Sequence, residues 1–432
     1  MSPLNHLAYL TADLPGIGGT LKQRPEDFLV EEQPLYEPAG QGEHLYLYIE
    51  KKGATTLDLA RRLAKAFRVK KRDVSYAGLK DKHAVTRQLV SVWRPGSTNA
   101  DDAAALERFS RYPYAQVLWV DRHTNKLRRG HHGGNRFVIH VRDVAPTAVL
   151  QAKPILDRLT REGFPNYLGE QRFGYRQNSH TLGQLLLHQQ HQAFLDQLIG
   201  QPRDDEHPDV QAGRAAYDAG DIETALEKIP GSLRAERQAL DALRQHKTPQ
   251  QAVDSIDRTQ RDFLVSAAQS AVFNTVVDRR LRAAAFDRLL PGDLAWKHDS
   301  RAVFAVDPDT AETENAPDGR VPRLEVSPSG PLWGHGMTLP QPPVLDDERA
   351  ALTDAGLTPD DFAPQRHLST DGTRRPLRES LSDPELSGGV DEHGPYLRLA
   401  FTLRRGTYAT VALREIMKQT SVNDPRQSNF DA

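Results

Sequence analysis

One carboxylate stands out by its surroundings. Asp81 falls between Lys80 and Lys82 in the stretch Tyr76-Ala77-Gly78-Leu79-Lys80-Asp81-Lys82-His83-Ala84-Val85-Thr86-Arg87-Gln88. A β-type run, Val74 to Ala77, precedes it, and another, Leu89 to Trp93, follows. Gly78 lets the backbone turn or be approached closely. A carboxylate on a loop between two strands, set among basic residues, suits chemistry on a polyanion. The same residues also read as a plain hairpin turn in which Asp81 only accepts hydrogen bonds from nearby amides.

The charge around this stretch is segregated. Net charge is only -2, which by itself argues against a nucleic-acid binder. Yet Arg61, Arg62, Lys65, Arg68, Lys70, Lys71 and Arg72 run up to the Asp81 stretch, and Arg122, Lys126, Arg128, Arg129 and Arg136 form a second group. Local basic patches, not the total, set the footprint on a phosphate backbone. Arg61, Arg62, Lys65, Lys80, Lys82, Lys126, Arg128 and Arg129 are the candidate backbone contacts. Each run also reads as a solvated helix face or loop. Acidic residues gather later, at 307–314 and 346–361.

The bulk composition narrows the class. At 432 residues the chain is too long for one ordinary core and calls for two or three domains. No apolar run reaches transmembrane length, and residues 1–13 show no basic segment followed by an apolar core, so no secretory signal is expected. The absence of cysteine excludes disulfides, thiolate catalysis and sulfur-ligated zinc. A cytoplasmic protein that works without a cofactor is the simplest fit.

Elements that would position Asp81 follow from periodicity. Residues 20–32 predict a strand entered through a turn at Pro25, with Phe28 and Val30 on one face. Glu43 to Glu50 alternates, with Leu45, Leu47 and Ile49 on one side and Tyr46 and Tyr48 on the other; it predicts a half-buried strand paired with the first. Thr55 to Phe67 switches to helical period, capped by Thr55 or Thr56. Strands are expected through Val117 to Val120, at Phe137, Ile139 and Val141, and from Tyr396 to Leu403. Ala148 to Gly163, Asp262 to Phe286 and Val411 to Lys418 read as helices. The region 175–380 reads as helical and polar, the acidic stretch 307–320 as a mobile loop, and 419–432 as disordered. His188 and His191 fall at i, i+3 on one expected helix with no third ligand evident, and His131-His132 lie in a Gly-rich loop; neither pair predicts a metal site.

Longer motifs carry a resemblance. Gly78 to Gln88 resembles the G-x-K-D-x-x-A-x-T-x-Q signature of the TruD family of tRNA pseudouridine synthases. Leu21-Lys22-Gln23-Arg24-Pro25-Glu26-Asp27-Phe28 resembles its L-K-x-x-P-E-D-F. Arg122 to Gly130, followed by Gly134-Asn135-Arg136-Phe137, resembles R-H-x-x-K-L-R-x-G and G-N-x-F. Pro165 to Gly174 resembles P-N-Y-F-G-x-Q-R-F-G, with Leu168 in place of Phe. Phe263, Ser266, Ala267, Ser270, Phe273 and Asn274 match F-x-x-S-A-x-x-S-x-x-F-N, and Ser327 to Gly334 resembles a P-x-G-x-x-x-G turn. Gly406-Thr407-Tyr408-Ala409-Thr410 with Arg414-Glu415 resembles G-S-F-A-T-x-x-x-R-E, with Tyr408 in place of Phe.

The resemblance implies an α+β fold. Its pseudouridine-synthase catalytic domain would be built from both chain ends, here 1–160 and 381–432, with a mostly helical α/β TRUD domain, 161–380, inserted between them; the insert has extra length around 195–250. It implies conversion of uridine 13 of tRNA to pseudouridine, with Asp81 as the catalytic residue and Lys22 facing it. Phe28, Asn135, Phe137 and Tyr408 would hold the uracil. No cofactor, metal, membrane or protein partner is implied, and a monomer is expected. The competing expectation is a non-catalytic RNA-binding protein on the same scaffold.

Overall fold

The computed structural model describes residues 6–365 and 367–418; the tail expected to be disordered from 419 lies outside them. The described chain divides into two units. One joins Asp13–Phe164 to the described residues from Ser380 onward, and the other joins the described residues before Asp13 to Pro165–Glu379.

The first unit is organised by an eight-stranded sheet. Its strands are β1 (Phe28–Pro34), β2 (His44–Lys51), β3 (Val74–Tyr76), β4 (Val85–Trp93), β5 (Ala115–His123), β6 (His132–Arg142), β7 (Ser382–Asp391) and β8 (Gly394–Arg404). The order is β7-β8-β6-β1-β4-β2-β5, with β3 also on β4. β1 and β4 run parallel, pairing Leu29 with Val85, and the other pairs are antiparallel. The two strands expected to pair, β1 and β2, are therefore not neighbours; β4 lies between them. β4 is also longer than its apolar run predicts, because Val85 to Gln88, read as part of the loop, already pair with β1 and β2.

Alternation decides what the sheet buries. Leu45, Leu47 and Ile49 of β2 and Val90 and Val92 of β4 pack against Leu59, Leu63 and Phe67 of helix α1 (Thr56–Phe67) and Phe109 of α2 (Asn99–Ser110). Thr55 caps α1 in a reciprocal box. Its hydroxyl accepts from the Asp58 N–H at 3.1 Å, and the Asp58 carboxylate accepts from the Thr55 N–H at 3.2 Å; such a cap contributes about 1 kcal/mol. Tyr46 is buried on the opposite face, with Ala77, Leu89 and Leu127. Helices α3 (Val149–Glu162) and α4 (Ala409–Met417) complete the unit.

In the other unit a 25-residue helix, Arg258–Arg282, is the spine. It is the element expected at 262–286, begun earlier because Asp257 caps it. Asn274 on this helix clasps Leu168. Its Oδ1 accepts from the Leu168 N–H at 2.8 Å, and its Nδ2 donates to the Leu168 carbonyl at 3.0 Å. Leu168 is buried, so the departure from Phe there replaces a core filler.

Several expectations about this unit are corrected. A four-stranded antiparallel sheet runs Thr373–Pro376, Val326–Leu332, Leu294–Lys297, Val303–Ala305. The segment read as a turn at 327–334 is mostly strand within it. The acidic stretch read as a mobile loop contains a helix, Pro308–Asn315, capped by Asp307; Glu314 is buried against Arg320. His188 and His191 do not share a helix, since the first helix ends at Leu187 and the next begins at His191. The extra length at 195–250 is short helices, among which Arg214 is fully buried, donating to the Leu198 and Ile199 carbonyls and to Glu206. No helix among the described residues is long and apolar enough to cross a membrane.

Candidate active site

Parallel pairing of β1 with β4 puts the segments that lead into both strands at the same end of the sheet. Those segments carry Lys22 and Asp81. Lys22 Nζ donates to Asp81 Oδ2 at 2.6 Å. The ammonium is largely enclosed, with 10% of the Lys22 side chain exposed against 34% for Asp81. Lys22 Nζ also lies 4.7 Å from the centre of the Phe28 ring. The Lys22 backbone is in the left-handed region, with φ 55°, a conformation that lysine adopts at some energetic cost and that concentrates at functional sites.

A second ion cluster ties down the chain on both sides of Lys22, at Thr20 and Asp27. Thr20 and Arg142 exchange backbone hydrogen bonds at 2.8 and 2.9 Å. The Arg142 guanidinium, almost fully buried, donates twice to Asp27 and to both carboxylate oxygens of Asp391. These two carboxylates hold Arg142 charged, its pKa raised above its ordinary value. Gly19 lies against the same strand with φ 92°, where a Cβ would come within 2.5 Å of Val141 Cγ1, so the approach needs glycine.

The β1–β6 register sets Glu32 opposite Asn135 and Val30 opposite Phe137. Lys80 bridges the first of these pairs. Its ammonium lies 3.1 Å from Glu32 Oε2 and donates to Asn135 Oδ1, with 7% of the Lys80 side chain and 1% of the Glu32 side chain exposed. Burial pushes the Glu32 pKa up, and Lys80 opposes that shift. Glu32 Oε1 accepts from the Leu89 N–H at 3.2 Å. Asn135 thus turns its carbonyl oxygen to Lys80. Phe137 packs edge-on to Phe28, with centroids 6.2 Å apart, and lies 5.8 Å from Phe401 of β8.

Lys22, Phe28, Lys80, Asp81, Asn135 and Phe137 therefore come together. Lys80 is a correction: its ammonium is enclosed by Glu32 and Asn135 and is not presented to a phosphate. Tyr408 stands at the N-terminal cap of α4, half-buried; among the described residues no hydrogen bond, ion pair or ring contact links its side chain to the others. Arg61, Arg62, Lys65, Lys82, Lys126, Arg128 and Arg129 are exposed. Arg61 pairs with Asp58 at 2.5 Å, Arg62 lies over Tyr112, Lys126 donates to the Arg72 carbonyl and Arg129 lies over Tyr76. Among the described residues no cluster of three or more His, Cys, Asp or Glu could hold a metal ion.

Sequence reasoning missed Glu32 and Lys51. Glu32 continues the inward face of Phe28 and Val30, and Lys51 that of Leu45, Leu47 and Ile49. A charged residue in register with an apolar face is the signal that was available.

The family model for tRNA pseudouridine synthase D (TruD) matches residues 5–416. The chain belongs to that family. It is 44% identical over 412 residues to tRNA pseudouridine synthase D of Geobacter sulfurreducens, covering 95% of this chain and 97% of that one. It is 34% identical over 410 residues to the Thermus thermophilus protein of the same name, covering 95% and 92%. A crystal structure from Methanosarcina mazei, titled as a tRNA pseudouridine synthase D, superposes with a TM-score of 0.78 at 26% identity, covering 97% of each chain. The expected α+β fold is the one found. The family's activity is isomerisation of uridine to pseudouridine in tRNA, so the chain is an enzyme of that class.

Proposed function

We propose that this enzyme isomerises uridine 13 of tRNA with Asp81 as its catalytic carboxylate and Lys22 as the counter-ion that keeps Asp81 ionised. The observation that carries the reading is the pairing of a largely enclosed Lys22 with the solvent-accessible Asp81 carboxylate, beside Phe28, Asn135 and Phe137. We assign catalysis to the unit built on the eight-stranded sheet.

The reaction breaks the glycosidic C1′–N1 bond, turns the base and forms a C1′–C5 bond. No redox step is involved. Inside a helical stack the sugar carbon and ring edge are shielded, so the nucleotide must be extruded, at a few kcal/mol. Aromatic stacking, worth ~1–3 kcal/mol per base, offsets that cost; Phe28, Phe137 and Tyr408 are the rings assigned to it. The Asn135 NH2 donates to a uracil carbonyl. Attack of Asp81 on C1′ and removal of the 2′ proton by Asp81 are the two routes open to a carboxylate here, and both begin with the anion. Tritium release from tRNA labelled at uracil C5, combined with mapping of the product base, tests the reading. Release together with pseudouridine at position 13 supports it; release with the product elsewhere overturns the position, and binding without release overturns the activity.

A further inference from the structure

The segment that carries Asp81 is gripped from below by the end of β2 and the start of α1. Three successive carbonyls are involved. Lys51 Nζ donates to the Asp81 carbonyl at 2.7 Å and to the Lys80 carbonyl at 3.4 Å, and the Gly53 N–H donates to the Lys82 carbonyl at 3.2 Å. The Lys80 N–H donates to Thr56 Oγ1 at 2.9 Å, and that hydroxyl donates to Gln88 Oε1 at 3.0 Å. Inside this frame Asp81 Oδ1 accepts from the His83 N–H at 3.0 Å, leaving Oδ2 toward Lys22.

Lys51 is the unusual member. Its residue is 1% exposed, and its ammonium grips the peptide backbone rather than forming a direct carboxylate pair. Amide carbonyls compensate a buried charge less than a carboxylate does. A neutral side chain of the same length could fill the space without that desolvation. What it could not do is fix the rotation of the Asp81 peptide with charge-assisted bonds while adding positive potential beneath the carboxylate.

We propose that Lys51 is a positioning residue for the isomerisation, its ammonium orienting the Asp81 backbone and thereby the carboxylate above it. The proposal rests on Asp81 being the catalytic group. Lys51 does not touch the substrate; it acts through Asp81. The charged groups acting on it are Asp81 and Lys80 from the gripped loop and Asp58 from α1. Burial brings the Lys51 pKa down to about 8, against the favourable pull of Asp81. Between about 8 and the free-lysine value near 10.4 the unfolded chain binds more protons, so loss of this charge stabilises the fold as pH rises. Activity should move the opposite way, because the neutral amine keeps weaker hydrogen bonds and no charge.

The test compares wild type, Lys51→Met and Asp81→Asn on tRNA labelled with tritium at uracil C5, from pH 6.5 to 9.5, with thermal unfolding and tRNA binding measured on each. Lys51→Met is expected to be at least as stable as wild type at neutral pH and to bind tRNA equally. Its kcat should fall by about 10²-fold, the scale of an ångström of misplacement, with KM little changed. The wild-type decline in kcat above pH about 8 should be missing from the variant. A Lys51→Met enzyme with wild-type kcat, or one that keeps the same alkaline decline, overturns the proposal. Should Lys51→Met be less stable, kcat is compared at a temperature where both enzymes are folded; a wild-type kcat there overturns the proposal. Asp81→Asn separates the two levels: full turnover by that variant removes the catalytic assignment itself, whereas an inactive Asp81→Asn beside a fully active Lys51→Met removes only the role of Lys51.

Discussion

The Lys22 ammonium and the Asp81 carboxylate meet at 2.6 Å although 59 positions separate them. The parallel β1–β4 pairing makes this possible, because it aligns the entries to both strands. An ammonium this close favours the ionised form of the carboxylate. Lys22→Met should therefore slow turnover at neutral pH, with partial recovery as pH rises. Lys22→Arg should keep the charge, misplace it and give an intermediate rate. Single-turnover rates across pH check both, and a Lys22→Met enzyme with wild-type rate at neutral pH would remove Lys22 from the site.

The Glu32–Lys80 pair makes a prediction about stability. Both side chains are almost fully enclosed. Glu32→Met alone leaves a buried ammonium without its carboxylate and should cost about 3–5 kcal/mol. Glu32→Met with Lys80→Met together should cost much less, since neither charge is then stranded. Urea unfolding of the two variants gives the comparison; equal losses would show that the pair is not coupled.

Arg128 and Arg129 are exposed beside the loop that anchors Ala77 through the Gly130 N–H. Replacing both by Gln should weaken tRNA binding and flatten the dependence of log K on log salt by about one unit per lost phosphate contact. An unchanged slope places the RNA on another face.

Tyr408 differs from the aromatic that the family motif carries only by its hydroxyl, and it is half-buried at the start of α4. Tyr408→Phe should leave kcat and KM near wild type. Tyr408→Ala should lose the stacking face, worth ~1–3 kcal/mol, and slow turnover accordingly. A severe defect in the Phe variant would assign the hydroxyl a role of its own.

The motifs and alternating runs made the first unit legible. Phe28 and Val30, Leu45 to Ile49, and Phe137 to Val141 lie on strands with the expected faces buried. Asp81 is on the expected inter-strand loop, and it also accepts an amide N–H, as a plain turn residue would. Strand neighbours were not legible, because periodicity gives faces and says nothing of order; β4 between β1 and β2 comes from tertiary pairing. Lys80 was misread because a lysine beside an aspartate in a basic stretch looks solvated, whereas its partners Glu32 and Asn135 arrive from two other strands. β7 escaped notice because Ser382 to Asp391 is mostly exposed and rich in polar residues and glycine. Its pairing with β8 supplies what its side chains do not.

Asp81 stands at the centre of the proposed chemistry. The most direct measurement is tritium release from C5-labelled tRNA by wild type and by Asp81→Asn, with tRNA affinity determined in parallel. Wild type should release tritium and Asp81→Asn none, with closely similar affinities, since phosphate contacts dominate binding. Release by Asp81→Asn at a rate near that of wild type would contradict the proposal.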